Sequence, residues 1–260
     1  MRIPMYQIDA FTDRLFGGNP AAVCPLATWL PDATMQAIAA ENNLSETAFF
    51  VPAEGGFELR WFTPEREVEL CGHATLATAH LLLRHLDPNR ERVAFSTRSG
   101  RLEVSRDGEL LVLDFPAYPP LPVDAPAGLF EALGHEAEAV LQGNYLMVVF
   151  RSERAVRALD PDFGAMARAG LEEAIVTARG IDCDFVSRFF APGYGIAEDP
   201  VTGSAHCTLV PYWARRLGRS RLHARQVSRR GGELFCELRG ERVSIAGQAV
   251  TYLEGAIEVP

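Results

Sequence analysis

The chain has 260 residues, 48% hydrophobic and 23% charged, the balance of a folded globular protein rather than a disordered or fibrous one. A formal net charge of -9 repels phosphate backbones and anionic lipid, so neither nucleic acid nor a membrane is an expected partner. All 25 basic residues are arginine, which excludes chemistry that needs a lysine amine: Schiff-base pyridoxal catalysis, aldolase lysines and P-loop phosphate transfer.

The opening text MRIPMYQIDAFTD places Asp9 and Asp13 where a signal peptide needs an apolar run. No stretch reaches the roughly 18 apolar residues of a membrane span, and a soluble cytoplasmic protein is expected. Strands are predicted at 6–11, 21–26, 47–52 and 57–62, with a helix at 31–43. Residues 74–86 are apolar almost all round and read as a buried helix. Further strands are expected at 92–97, 101–105 and 109–115. The text PAYPPLPVDAP at 116–126 then holds five prolines, which neither a helix nor a central strand accommodates. It reads as an extended linker between a first domain, 1–115, and a second, 127–249. A last strand near 250–260 is available to complete the first domain. In the second half, strands are predicted at 145–150, 174–177, 185–190, 222–228, 233–238 and 242–245, and a long helix at 204–217. Five cysteines, an odd number without a C-x-x-C pair, point to reduced thiols rather than a disulfide framework or zinc ribbon.

The two halves repeat one another. Arg60-Trp61-Phe62-Thr63-Pro64 echoes Arg188-Phe189-Phe190-Ala191-Pro192, and Cys71-Gly72-His73-Ala74 echoes Thr202-Gly203-Ser204-Ala205. After the helix that each second block opens, Thr97-Arg98-Ser99-Gly100 echoes Ser228-Arg229-Arg230-Gly231. Three blocks in the same order imply a duplication and two pseudo-symmetric domains. Each copy sets a glycine at a helix start, where unpaired N–H groups and the helix dipole favour an anion by about 0.3–2 kcal/mol. Two such starts facing one cleft would hold a small anionic metabolite.

Four ordered motifs then carry a family resemblance. They are Gly18-Asn19-Pro20-Ala21-Ala22-Val23 after Phe11-Thr12, Asn43-Leu44-Ser45-Glu46-Thr47-Ala48-Phe49, Leu70-Cys71-Gly72-His73-Ala74-Thr75, and Glu198-Asp199-Pro200-Val201-Thr202-Gly203-Ser204-Ala205-His206. Together they closely resemble the phenazine biosynthesis isomerase family (PhzF-like proteins). The resemblance implies the diaminopimelate epimerase-like α+β fold, each of two domains a curved, mostly antiparallel sheet around a central helix. It also implies a homodimer, no metal or organic cofactor, and a site between the domains. It assigns Glu46 as the catalytic acid/base and His73 and Asp199 as polar residues that orient substrate or assist proton movement. Gly72, His73, Gly203 and Ser204 become the substrate-binding positions. Burial beside a water-poor cleft should raise the Glu46 pKa toward the working pH.

An epimerase of this fold uses two thiols on opposite faces of a carbon. Here Cys71 is matched by Thr202, whose hydroxyl is no base at neutral pH, and Cys207 lies five residues further on. A single carboxylate that removes and returns a proton on one face shifts a double bond, which is isomerase chemistry. An epimerase or racemase pairing Cys71 with another base, and a non-catalytic metabolite-binding protein, remain as alternatives. His80 and His85 match no metal-ligand motif. His206, inside the second long helix, is read as a cleft or packing residue.

Overall fold

The structure is a computed structural model that describes residues 1–259. The chain forms two compact units, Met1–Asp114 together with the C-terminal segment from Ala246, and Phe115–Ile245.

The first unit begins with β1 (Arg2–Ala10) and β2 (Asn19–Pro25), then α1 (Asp32–Asn42), β3 (Glu46–Ala53), β4 (Gly56–Phe62) and the short β5 (Glu67–Val68). Helix α2 (Gly72–His80) follows, then β6 (Arg92–Thr97), β7 (Gly100–Asp107) and β8 (Leu110–Pro116). The last strand of the chain (Ala249–Glu258) pairs antiparallel with β1. Strands β2 and β3 run parallel and are buried on both faces. Phe49 and Val51 of β3 pack against Met35 and Ile38 of α1, whereas α2 lies against β1, β2 and β3. The two-residue side-chain period of β3 therefore sets Glu46, Ala48 and Phe50 on the face opposite Phe49.

The predicted helix at 74–86 is two elements. After His80 the α-helix widens into a π-helical turn, Leu81–Leu86. A spacing of five residues per hydrogen bond brings the His80 and His85 rings together, Nε2 to Nε2 at 3.4 Å, and both rings reach Thr251 Oγ1 on the last strand, at 3.2 and 2.9 Å. Periodicity alone does not distinguish such a turn from regular helix.

The second unit comprises β9 (Leu121–Pro122), α3 (Leu129–Leu133), β10 (Ala139–Gln142), β11 (Leu146–Val149), α4 (Glu153–Ala158) and α5 (Phe163–Arg168). It continues with β12 (Ala174–Arg179), β13 (Phe185–Ala191), β14 (Ile196–Asp199) and α6 (Gly203–Leu217), then β15 (Arg221–Gln226), β16 (Gly232–Arg239) and β17 (Arg242–Gly247). Its ladders copy those of the first unit step by step. The pairs β1–β2, β3–β4, β4–β5 and β6–β7 are antiparallel, and β2–β3 and β4–β6 parallel. Correspondingly β10–β11, β12–β13, β13–β14 and β15–β16 are antiparallel, and β11–β12 and β13–β15 parallel. The duplication read from three sequence blocks thus extends over the whole strand order, with α2 and α6 in the same slot.

The proline-rich segment lies within the second unit. Leu121 and Pro122 pair with β10, and the Tyr118 N–H donates to the Cys207 carbonyl of α6 at 2.8 Å. That carbonyl has no helical partner, because the residue four positions on is Pro211, which lacks an N–H. A helix that keeps an internal proline thus gains an outside donor from the other proline-rich stretch.

All five cysteines are free thiols, and among the described residues no helix is long and apolar enough to cross a membrane. His206 is fully buried, tilted against Phe185 with centroids 5.9 Å apart, and its Nδ1–H donates to the Thr202 carbonyl at 2.9 Å. Burial pushes its pKa down from 6.5 to about 4. Because the folded value lies below the unfolded one, the unfolded chain binds more protons between pH 6.5 and 4, and stability is lost as pH falls through that window. His206 should thereby remove on the order of 2 kcal/mol between pH 7 and pH 5. Urea denaturation at the two pH values should show a His206→Gln variant losing that much less than the wild type; an equal loss would contradict the assignment.

Candidate active site

Three chain segments begin at one point of the first unit. Asn19 is the first residue of β2, Glu46 the first of the neighbouring β3, and Cys71 the residue that precedes α2, with His73 in its first turn. Asn19 follows Gly18, which has φ +59° and lies so close to the Ala10 carbonyl that any β-carbon would collide with it. The turn after β1 therefore requires glycine, and it delivers Asn19 into the site. Asn43, in the left-handed conformation that ends α1, turns the chain back into β3 and so delivers Glu46.

His73 is the hub. Its Nε2 stands 3.0 Å from Glu46 Oε2, and its Nδ1 lies 3.1 Å from Asn19 Nδ2 and 3.5 Å from Cys71 Sγ. Asn19 Oδ1 in turn accepts from Ser45 Oγ at 3.2 Å. The His73 side chain is 6% exposed and that of Glu46 15%. The close Glu46 oxygen is itself buried, 3.0 Å from the ring nitrogen.

Burial works against charge on His73, but Cys71 and Glu46 beside it prevail and hold its pKa well above the usual imidazole value. Burial, reinforced by the Glu46 charge, pushes the Cys71 thiol up to about 11, so it keeps its proton at neutral pH. Cys71 and Glu46 thus both favour the charged form of the His73 ring. Cys71 Sγ, an imidazole nitrogen of His73 and a Glu46 oxygen all fall within 4.8 Å of one another, a donor set able to hold a metal ion.

The second unit builds the corresponding helix start with different side chains. Thr202 Oγ1 donates to Asp199 Oδ2 at 2.5 Å, and the Thr202 N–H to Gln226 Oε1 at 2.8 Å. Gln226 Nε2 donates to the Asp199 carbonyl at 2.9 Å, so one buried amide fixes the turn that leads into α6. Ser204 Oγ shares a hydrogen bond with the Tyr145 hydroxyl at 2.9 Å. Neither Cys71 nor Thr202 caps its own helix through its side chain. Each therefore leaves first-turn N–H groups without that partner.

The other repeat blocks acquire physical meaning here. Arg60 forks onto Glu67 through Nε and Nη2, both at 2.7 Å, and lies over the Phe62 ring. Arg188 forks onto Glu198 at 2.7 and 2.9 Å and lies over Phe190. Ser99 Oγ donates to the Glu69 carbonyl at 2.8 Å and Ser228 Oγ to the Pro200 carbonyl at 2.7 Å, each two residues before the helix-start position. Both loops that lead into α2 and α6 are thus held by one bidentate arginine and one serine hydroxyl.

Of the residues selected from the sequence, the structure brings Glu46, Gly72 and His73 together in the first unit. It sets Asp199, Gly203 and Ser204 around the second helix start. Asn19 and Gln226 had not been singled out for a role. Asn19 lies inside a motif already conspicuous for its glycine and proline, whereas nothing in the local text around Gln226 marks it. His206 is a packing residue with its ring turned to the helix backbone.

Because Glu46 favours the charged form of His73, Glu46→Gln should lower the His73 pKa. Imidazole NMR titration measures this directly, and an unchanged value would exclude the pairing.

A family model described as "Phenazine biosynthesis-like protein" matches residues 8–255. An uncharacterized isomerase of Pseudomonas aeruginosa is 53% identical over 260 residues, covering all of both chains. Among solved structures, a phenazine biosynthesis protein of the PhzF family from Enterococcus faecalis superposes with a TM-score of 0.97 at 46% identity, again over the whole of both chains. A hydroxyproline epimerase from Agrobacterium vitis, at 12% identity, shares the fold with a TM-score of 0.64, covering 98% of this chain and 92% of its own. The sequence blocks, the duplicated ladders and these matches agree that the chain belongs to the phenazine biosynthesis-like family of isomerases, with the diaminopimelate epimerase-like fold.

Proposed function

We propose that the protein moves a proton, and with it a double bond, within a small carboxylated metabolite, using Glu46 as the only acid/base and no cofactor. The observation behind this reading is the buried Glu46 oxygen that stands 3.0 Å from His73. A carboxylate in that state can accept a proton from carbon with little reorganisation. The electron pair left behind delocalises into the substrate's conjugated system. The same carboxyl, now protonated, returns the proton to a different carbon on the same face, and Glu46 ends as it began. His73, 3.0 Å from Glu46, orients the substrate.

Binding falls to the two helix starts. The N–H groups of Gly72 and His73, and those of Gly203 and Ser204, can take a carboxylate without a basic side chain. Asp199, fixed by Thr202, supplies a polar contact for a substrate hydroxyl or amine. The hydrogen bond from Thr202 to Asp199 also supports one base over two, because the residue matching Cys71 is a hydroxyl already donating elsewhere.

Small unsaturated carboxylic acids incubated with the enzyme in deuterated water and followed by NMR test this reading. Glu46→Gln should fold and bind the acid that the wild type converts, with turnover reduced about a thousandfold. Turnover within tenfold of wild type would remove Glu46 from the mechanism. Thr202→Val should retain the reaction but weaken substrate binding by roughly tenfold as Asp199 loses the Thr202 hydrogen bond.

A further inference from the structure

The cluster around His73 has a second chemical capability that proton transfer does not use. Cys71 Sγ lies 4.0 Å from His73 Nε2, Nε2 lies 3.0 Å from Glu46 Oε2, and the three ligand atoms fall within 4.8 Å of each other. A tetrahedral zinc ion holds sulfur at about 2.3 Å and nitrogen or carboxylate oxygen at about 2.0–2.2 Å, which spaces the donors roughly 3.3–3.6 Å apart. Two of the three gaps bracket that spacing, and the three atoms lie within 4.8 Å of one another.

Other features fit an ion at this point. Cys71 and His73 sit two positions apart at one helix start, and Glu46 on the first residue of a strand buried on both faces, so the donors stand on regular elements. Asn19 reaches the other nitrogen of the His73 ring, the place that an outer-shell group occupies when histidine binds metal. With its amide turned over, Asn19 Oδ1 can accept from Nδ1–H while Nδ2 donates to Ser45 Oγ. The Glu46 oxygen 3.0 Å from His73 is buried. Thiolate, imidazole and carboxylate together suit a borderline ion such as zinc better than calcium or magnesium, which take oxygen ligands.

We infer that Glu46, Cys71 and His73 form a binding site for a zinc-class divalent ion, with Cys71 Sγ, His73 Nε2 and Glu46 Oε2 as ligands and a fourth position open to water. On binding, the Cys71 thiol and the Nε2 position of His73 each release a proton to solvent as bonds to the ion form. Oxidation states do not change. The ion engages the Glu46 lone pair, so it inhibits the proton transfer; that consequence rests on the isomerase reading, whereas the site does not.

Direct metal binding tests the site without any substrate. EDTA-treated full-length protein titrated with zinc chloride in a calorimeter should show a saturable site that weakens by at least about tenfold in Cys71→Ala and in His73→Ala. The wild-type protein loaded with cobalt(II) should show a thiolate-to-metal charge-transfer absorption, absent from Cys71→Ala. Absence of saturable zinc binding, or of the cobalt band in the wild type, overturns the site even if a variant fails to fold. Zinc affinity unchanged in Cys71→Ala but lost in His85→Ala would place the ion at the His80–His85 pair and overturn it as well. Failure of these metal measurements leaves the Glu46→Gln turnover result untouched, and failure of the latter leaves the metal measurements untouched.

Discussion

A carboxylate and an imidazole 3.0 Å apart in a nearly solvent-free pocket are the constraint around which the first unit is arranged. Removing two such groups from water costs several kcal/mol per ion, and their attraction offsets this only with good geometry. The His73–Glu46 contact favours the charged ring against burial. The arrangement persists because apolar structure over-determines it. Strands β2 and β3 are buried on both faces between α1 and α2, and their first residues have no freedom to move apart. Polar atoms left partly unsatisfied in such a frame are characteristic of sites built for chemistry.

The duplication separates scaffold from function. Every ladder of the first unit from β1 to β7 has its counterpart in the second, and the arginine–glutamate fork and the serine tether recur beside each helix start. These shared devices hold a loop in place and do not depend on what the helix start binds. The residues at the starts have diverged. One has a thiol and an imidazole beside a carboxylate; the other has two hydroxyls, an aspartate and a buried amide. The side chains at the two helix starts thus differ on strand ladders that repeat.

Two departures from regular helix show how tertiary contacts absorb local irregularity. Pro211 withdraws a donor from α6, and the extended stretch containing Tyr118 replaces it, so the proline-rich segment is fastened to the unit it enters. The π-helical turn after α2 brings two imidazoles onto the last strand, where Thr251 bonds both. In each case a residue remote in sequence satisfies what the helix leaves open.

Much of this protein is written locally. The three repeated blocks, the alternating apolar runs and the glycines before two helices point to the duplication and the positions of the long helices, because side-chain period and helix-start chemistry act over a few residues; the α+β epimerase-like fold and the candidacy of Glu46, His73 and Asp199 come from the family resemblance of four ordered motifs. Other features depend on partners far apart in the chain. The charge held on His73, the role of Asn19, the fixing of Thr202 by Gln226 and the break of α2 into a π-turn each need a neighbour whose position only packing decides. Proximity of Cys71 to His73 could be counted from the sequence, but the approach of Glu46 to both required two parallel strands and a helix to begin at one place. That coincidence belongs to the fold, since burial and strand register, not spacing along the chain, determine which atoms meet.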